Sequence, residues 1–576
     1  MTRSNDVEWS PPKDDPEWRQ KIVEEFHIHP ILAQILVTRG FTSLKDIHAF
    51  LYVKLRDLHD PFLFVDMEAA VSRLARAWED KERVMVYGDT DVDGMTAAAL
   101  LVEFLRSIGV DANPYLPGRS TRQSEMIEGL KAAQKADVTL VITVDCGITA
   151  AEEIERFTES GIDVIVTDHH EPTHKIPNCL ATLNPKLIDN AYPNRELTGA
   201  GVAFKLIHAI TVEFVKTKKI AEDFVDLESY LDLVALGTIA DMAPLVGENR
   251  ILAHYGLKSL EATKRIGLQK LFEVCGINPK SGITAFDVAS KLAPRLNSIG
   301  RIDEGSKGVE LLLASSEAVA LGLAEELELH NIERQRIEKL MSEHLDQMIQ
   351  EDPAIMAAPM IVVASDKWHP GVIPILSARL TKQYAKPTLL IAIENGVGKG
   401  SLRTVPEFPL LPMLKANAKY LIDFGGHDFA AGMTIQQADI QDFTKAAIEY
   451  VEKNIPKETS SSMLQIDANV SFYELDFELL ESLDLFKPYG QENPMPIFFA
   501  QAEQSWPPKV VSSNHLKMYV QEGGRMLEGI AFGMADRREE LKRKNIKLDL
   551  AFTPQVNRFL NKSSIQLLIR GFQTDN

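Results

Sequence analysis

The chain has 576 residues, 45% of them hydrophobic and 25% charged, with a formal net charge of -20 at pH 7. These values predict an ordinary soluble protein of several domains, and no apolar run approaches the ~20 residues of a membrane helix. The charge excludes a protein that coats nucleic acid by electrostatics alone, but it leaves room for a local basic groove. Three scattered cysteines, Cys146, Cys179 and Cys275, form neither a metal-thiolate spacing nor a disulfide framework. With a polar start that lacks a secretory pattern, they predict a reducing, cytoplasmic location.

Residues 1–75 read as a helical lead-in, because "ILAQILVTRGF" and "MEAAVSRLARAWEDKER" carry apolar residues at helical spacing. Over 76–255, strand-like "VMVY", "VTLVITV" and "IDVIVT" alternate with helix-like "MTAAALLVEFLRSIG" and "AAEEIERFTESG", which predicts βαβ units and a parallel sheet. A mostly helical region, 256–352, closes with an unbroken stretch from Ser316 to about Gln350, read as a connector helix between two bodies. "MIVVAS" opens a second α/β section at 353–457. In 458–576, short alternating segments from "SMLQIDANVSF" to "SIQLLIRGF" suggest a small β-barrel.

The segment "RVMVYGDTDVDG" sets Asp89, Asp91 and Asp93 at alternate positions after an apolar run. It opens like a calcium-binding EF-hand loop. However, the twelfth position from Asp89 is Leu100, and the preceding residues read as a strand, so that loop is excluded. What is left is a strand, an acidic loop turning at Gly94, and a helix from about Met95. Carboxylates so placed repel one another unless a divalent cation neutralises them. "VTLVITVDCGIT" ends its apolar run at Asp145, "IDVIVTDHHEP" ends at Asp168, His169 and His170, and "ALGTIADMAPL" adds Asp241. In a parallel sheet such strand ends line one crevice. A single Asp there is most often a helix cap or turn former; their co-occurrence in this order is what singles these out. Carboxylates with one or two imidazoles suit Mn²⁺ or Mg²⁺, and two ions sharing a carboxylate sit ~3.5–4 Å apart, so the expected chemistry is hydrolysis at phosphorus.

Taken together, "DTDVDG", "DCG", "DHH" and "ALGTIAD" resemble the DHH phosphoesterase superfamily. "LTGAGVAFKL", "PRLNSIGR", "WHPGVI", "GKGSLR", "FGGHDFAAG" and "YGQENPMPIF" extend the likeness, from near residue 31 to the C-terminus, to the branch of 5′ to 3′ exonucleases specific for single strands. The resemblance implies an α/β fold in which two α/β domains, DHH and DHHA1, are joined by a long helix, plus a C-terminal OB-like β-barrel. It implies Asp91, Asp93, Asp145, His169 and Asp241 as ligands of two Mn²⁺ or Mg²⁺ ions, Asp89 as a further carboxylate of the catalytic site, and His170 on the scissile phosphate. Ser401, Arg403 and Arg119 would hold a 5′-terminal phosphate, helped by the close backbone approach that Gly425 and Gly426 allow. His427 would sit near the scissile group, and Arg295, Asn297 and Arg301 would meet backbone phosphates. Lys517, Tyr519 and Phe552 are candidate strand contacts in the barrel. Metal cleft and barrel would form a ring that admits one strand and excludes duplex. The implied partners are single-stranded DNA, a single-strand-binding protein and a RecQ-type helicase, for a monomer working in recombination and repair without a membrane.

Three positions depart from the family pattern. Tyr87 stands where many relatives have His, the Gly-Tyr-Gly that usually follows Arg119 is missing, and Pro374 replaces a Gly. Two other functions fit related folds. Phosphodiesterases of short oligonucleotides or (cyclic) dinucleotides usually lack the lead-in and the barrel. Non-catalytic replication scaffolds lose metal ligands that are all present here.

Overall fold

The computed structural model describes residues 8–117, 122–302, 306–406, 408–454, 463–512, 514–543, 545–559 and 562–574. Five parallel strands form the first sheet, in the spatial order Asp111–Tyr115, Arg83–Gly88, Leu140–Val144, Asp163–Thr167, Ala181–Leu183. Leu140–Val144 is buried along its whole length, as its unbroken apolar run demands of a strand covered on both faces. From Arg83–Gly88 the chain steps to one side of the sheet, and every later strand lies on the other. The carboxyl ends of Arg83–Gly88 and Leu140–Val144 therefore flank a topological switch point, where open α/β sheets bind ligands.

Gly94 was expected at a turn before a helix from about Met95. Instead the helix spans Val92–Ser107, and Gly94 lies inside its first turn. A Cβ at Gly94 would stand 2.5 Å from the Asp89 carbonyl oxygen, so the residue is glycine because the acidic loop folds back over it. This helix packs with Gly199–Lys216 and Leu231–Ala240 in the largest core, which continues through Leu257, Leu271 and Leu296.

The connector helix spans Glu317–Glu351, its 35 residues matching the expectation. Ala320, Ala324 and Leu327 pack into the first core, whereas Met341 and Leu345 pack with Ile361, Trp368 and Leu376 of the second body. That second sheet has the order Leu421–Gly426, Ala430–Gln436, Val397–Arg403, Thr388–Glu394, Ile361–Ser365, antiparallel except for its last pair. Pro374 falls in the first turn of the helix Ile373–Tyr384, where a missing N–H costs little.

The C-terminal strands Phe498–Val511, His515–Glu522, Arg525–Ala531, Lys547–Phe559 and Lys562–Thr574 close into a barrel through pairing of the first with the fourth. Phe552, a candidate strand contact, is instead fully buried at its centre. The lead-in divides between two cores. Ile22, Leu36 and Phe50 pack with the barrel, to which Trp9–Ser10 adds a short parallel pairing with Leu464–Gln465, whereas the helix Met67–Glu79 joins the first core. Among the described residues no helix is long and apolar enough to cross a membrane.

Candidate metal centre

Asp89 and Asp91 follow Arg83–Gly88 at the switch point, and Asp91 caps the next helix by accepting from Gly94 N at 3.1 Å. Asp93 lies in that helix's first turn, clamped by the start of another: Gly199 N donates to Oδ2 at 2.6 Å and Ala200 N to Oδ1 at 3.0 Å. A helix N-terminus favours such an anion. Asp145 follows Leu140–Val144 with φ of 60°, a left-handed backbone uncommon outside glycine and often retained at functional sites. Asp168, His169 and His170 follow Asp163–Thr167, and Asp241 ends the helix Leu231–Ala240.

These side chains converge on one place. His169 Nε2 stands 3.0 Å from Asp145 Oδ1, 3.8 Å from Asp93 Oδ2 and 3.9 Å from Asp241 Oδ2. Donor atoms of Asp145, His169 and His170, and those of Asp93, His169 and Asp241, form two groups with mutual spacings within 4.8 Å, sharing His169.

Electrostatics separates the members. Burial, then neighbouring carboxylates, pushes Asp93 and Asp145 well above the usual carboxylate range, and burial with Asp91 lifts Asp241 to about 7. Burial with the charge of His170 lowers His169 to about 3, which leaves the ring neutral at neutral pH. His170 moves the other way: burial opposes its charge, but the hydrogen bond and charge of Asp168 carry it up to about 9. Asp168 faces His170 Nδ1 at 2.8 Å and accepts from the backbone N–H of Ile148, His169 and His170 at 2.9, 2.7 and 3.0 Å. Despite its burial, these partners hold it below the usual range. Two adjacent histidines thus differ in charge, His169 neutral and His170 cationic.

The donor set fits a hard divalent cation. Asp145 Oδ1 is buried and has no hydrogen-bond partner among the described residues, and His169 Nε2 stands 3.0 Å from it. The packing reserves this arrangement. A Cβ at Gly199 would stand 2.5 Å from Asp145 Cβ, and one at Gly237 would stand 2.5 Å from Asp93 Oδ1.

Asp89 Oδ1 turns back to Thr90 N at 2.5 Å while its charge acts on Asp145 and His170. His427 brings the second body to the cleft, its ring stacked on His170 with centroids 6.1 Å apart and planes 9° apart. In that body, Arg403 Nη1 donates to Ser401 Oγ at 3.2 Å and to the Leu402 carbonyl at 2.7 Å, and burial lowers the guanidinium from its ordinary value. No carboxylate pairs with Arg403 among the described residues, so its remaining donors are available to an anion. Gly425 and Gly426 end the edge strand Leu421–Gly426, and Gly426 has φ of 134°.

Asn297 and Arg295 are engaged within the protein. Asn297 Oδ1 accepts from Val92 N at 3.1 Å and braces the acidic loop, whereas Arg295 forms a two-pronged pair with Glu328 of the connector helix. Arg119 lies outside the described residues, as does the side chain of Arg301. Tyr87 stacks on Tyr115 at 5.5 Å in an apolar cluster with Met126 and Phe157, so in this structure it serves packing. Lys517 and Tyr519 both bind Glu528 on the barrel surface.

Sequence reasoning missed the roles of Asp168 and Gly199. Asp168 was visible as the first letter of "DHH", but a carboxylate that orients rather than binds looks the same in sequence. Gly199 stood in "LTGAG", a small-residue run ahead of a helix, whose meaning comes only from what it touches.

Three family domains match the chain in order: the DHH family, N-terminal domain over residues 83–238, the DHHA1 domain over 357–453 and the RecJ OB domain over 466–571. The chain is 31% identical over 571 residues to the single-stranded-DNA-specific exonuclease RecJ of Bacillus subtilis, covering 98% of this chain and 70% of that protein. It is 33% identical over 559 residues to the protein of the same name from Haemophilus influenzae, covering 94% and 96%. The crystal structure of RecJ in complex with Mn²⁺ from Thermus thermophilus superposes with a TM-score of 0.84 at 27% identity, covering 100% of this chain and 80% of that one. The Mg²⁺ complex gives 0.76 at 25% identity, covering 99% and 79%.

Proposed function

The chain belongs to the RecJ family of single-stranded-DNA-specific exonucleases, and on that footing we propose that it hydrolyses single-stranded DNA from the 5′ end to 5′-mononucleotides. The observation that carries this reading is the convergence of Asp93, Asp145, His169 and Asp241, with Asp145 Oδ1 left for a cation to satisfy. Asp91, Asp93, Asp145, His169 and Asp241 would hold Mn²⁺ or Mg²⁺, and the close grouping of donor atoms from Asp93, His169 and Asp241, with Asp145 beside His169, supports this ligand set. When bound, these ions lower the pKa of water and neutralise charge on phosphorus oxygens.

The protein's own groups then divide the work. Asp168 fixes His170 through Nδ1, so that the cationic ring directs Nε2–H at a phosphate oxygen, with His427 alongside. Asp89 adds negative charge that keeps His170 protonated. Ser401, Arg403 and the backbone near Gly425 and Gly426 hold the terminal phosphate, with Arg119 as a further donor. Arg295, Asn297 and Arg301 are candidates for the backbone phosphates of the strand, with Asn297 also bracing the acidic loop and Arg295 tied to the connector helix. Tyr519 and the exposed Trp506 beside it give the barrel an aromatic face for bases, with Lys517 held next to them by Glu528. The same reading extends to a cytoplasmic monomer that works with a single-strand-binding protein and a RecQ-type helicase in recombination and repair.

The test is a time course with Mn²⁺ on a 3′-labelled single strand, the same strand annealed to its complement, and a free dinucleotide. Shortening from the 5′ end on the single strand alone is the expected result. Cleavage of the dinucleotide alone would replace the exonuclease with a small-substrate phosphodiesterase, and inertness toward all three would leave a scaffold.

A further inference from the structure

The motif "YGQENP" lies outside the chemistry above, yet it meets the catalytic body at a specific joint. Arg250, on the helix Gly247–Glu261, is 2% exposed. Its Nε donates to the Phe50 carbonyl, Nη1 to the Phe486 carbonyl and Nη2 to the Leu485 carbonyl, each at 2.9 Å, while the guanidinium lies 4.0 Å from the Phe50 ring centroid. Every one of these acceptors belongs to the body formed by lead-in and barrel. No carboxylate pairs with Arg250 among the described residues, so carbonyl dipoles and a ring face compensate its charge only while the two bodies are docked.

The opposite side is shaped to match. Asn493 Nδ2 donates to the Phe486 and Pro488 carbonyls at 2.7 and 2.8 Å, folding the turn that presents Phe486 to Arg250. Arg39 secures the same turn by donating to Asn493 Oδ1 at 2.8 Å. Leu245 N donates to the Gln491 carbonyl at 2.9 Å, and the Leu245 side chain fills the space beside Gly490, where a Cβ would stand 2.6 Å from Leu245 Cδ1. The loop 241–246 therefore carries the metal donor Asp241 at one end and a barrel contact at the other.

We propose that Arg250 is a positioning residue that locks the barrel onto the catalytic body, setting one distance between metal cleft and barrel and so making affinity for a single strand depend on its length. A strand that reaches both sites gains from both; a shorter one does not. This rests on the single-strand reading above.

The experiment compares KM and kcat of the full chain on strands of about 6 and about 40 nucleotides, below and above the span of a cleft plus one OB-type fold. Amide hydrogen exchange at Leu245 is followed in parallel. Arg250→Met removes all three donors, and Gly490→Ala disturbs the joint from the barrel side without altering a charge. Both variants are expected to lose about ten-fold of the KM advantage of the long strand, through KM rather than kcat, with faster exchange at Leu245. Equal loss on both lengths, or an unchanged advantage with unchanged exchange, overturns the proposal. A wild-type chain inert toward every single strand would sink the functional reading instead. Exchange would then decide the joint alone, and an unaltered Leu245 amide would overturn it.

Discussion

Two buried charge clusters lie in the same catalytic body and differ in one respect. Lys205 and Glu248 are fully buried and paired at 2.5 Å; Tyr192 Oη and His59 N donate to Glu248 at 2.6 and 2.9 Å, and Lys205 Nζ reaches the His59 carbonyl at 2.8 Å. The metal cleft gathers Asp89, Asp91, Asp93, Asp145, Asp168 and Asp241 around His170, with the charge of Lys186 also acting on Asp241, and leaves Asp145 Oδ1 without a hydrogen-bond partner among the described residues. The first cluster is complete as folded. The second is complete only with a cation. Charge and burial alone do not separate a structural pair from a ligand site; an unsatisfied acceptor among converging donor groups does.

The sharpest way to break this contrast is Asp145→Asn. Turnover should fall at least ~10³-fold, about 4 kcal/mol of activation free energy, and calorimetric Mn²⁺ binding should weaken with it. Because the change removes one of several like charges, the metal-free protein should melt higher than wild type. A lower melting temperature would show that the acidic cluster is satisfied internally. Glu248→Gln should do the reverse, costing about 3–5 kcal/mol of stability by leaving Lys205 buried beside a neutral amide, while Mn²⁺ affinity of the folded fraction stays put.

Paired glycine substitutions sharpen the comparison further. Gly199→Ala and Gly256→Ala both force contacts, 2.5 Å to Asp145 Cβ and 2.3 Å to the Leu231 carbonyl oxygen. Each should cost about 1–3 kcal/mol. Only Gly199→Ala should also weaken Mn²⁺ binding, by about ten-fold, because only there does the displaced group carry a donor. Equal affinities in the two variants would contradict the placement of Asp145.

The smallest effect concerns His208, one turn beyond Lys205, whose Nδ1 is buried without a partner among the described residues. Burial, then the charge of Lys205, holds it to about 4. Above its ordinary value of 6.5 it is neutral whether folded or not. As pH falls from there toward about 4, the unfolded chain takes up a proton that the fold refuses, so stability declines across that window. His208→Gln should flatten this part of a melting-temperature profile, and an unchanged slope would place the acid sensitivity elsewhere.

Much of this was legible in the residues. The apolar runs ending at Asp145 and Asp168 became parallel strands ending in the crevice, and the stretch after Ser316 became the connector helix, because both patterns are set by neighbours within one or two turns of chain. Gly94 was misplaced by its reputation as a turn former. The reason for that glycine is the Asp89 carbonyl folded over it. Phe552 looked like a stacking aromatic because strand periodicity does not reveal which face of a closed barrel is inside.

By itself the sequence determined the acidic strand ends, their order along the chain and the family they announce, since these depend on local spacing and residue chemistry. Only the tertiary structure decided that Gly199 and Ala200 clamp Asp93, that His427 stacks on His170, that Ile22 to Phe50 pack with the barrel, and that Arg250 binds it. Those contacts join residues more than 100 positions apart, as between Asp93 and Gly199 or between Arg250 and Phe486. The satisfaction of a buried polar atom depends on whatever the completed fold brings beside it, and short-range pattern carries no record of that.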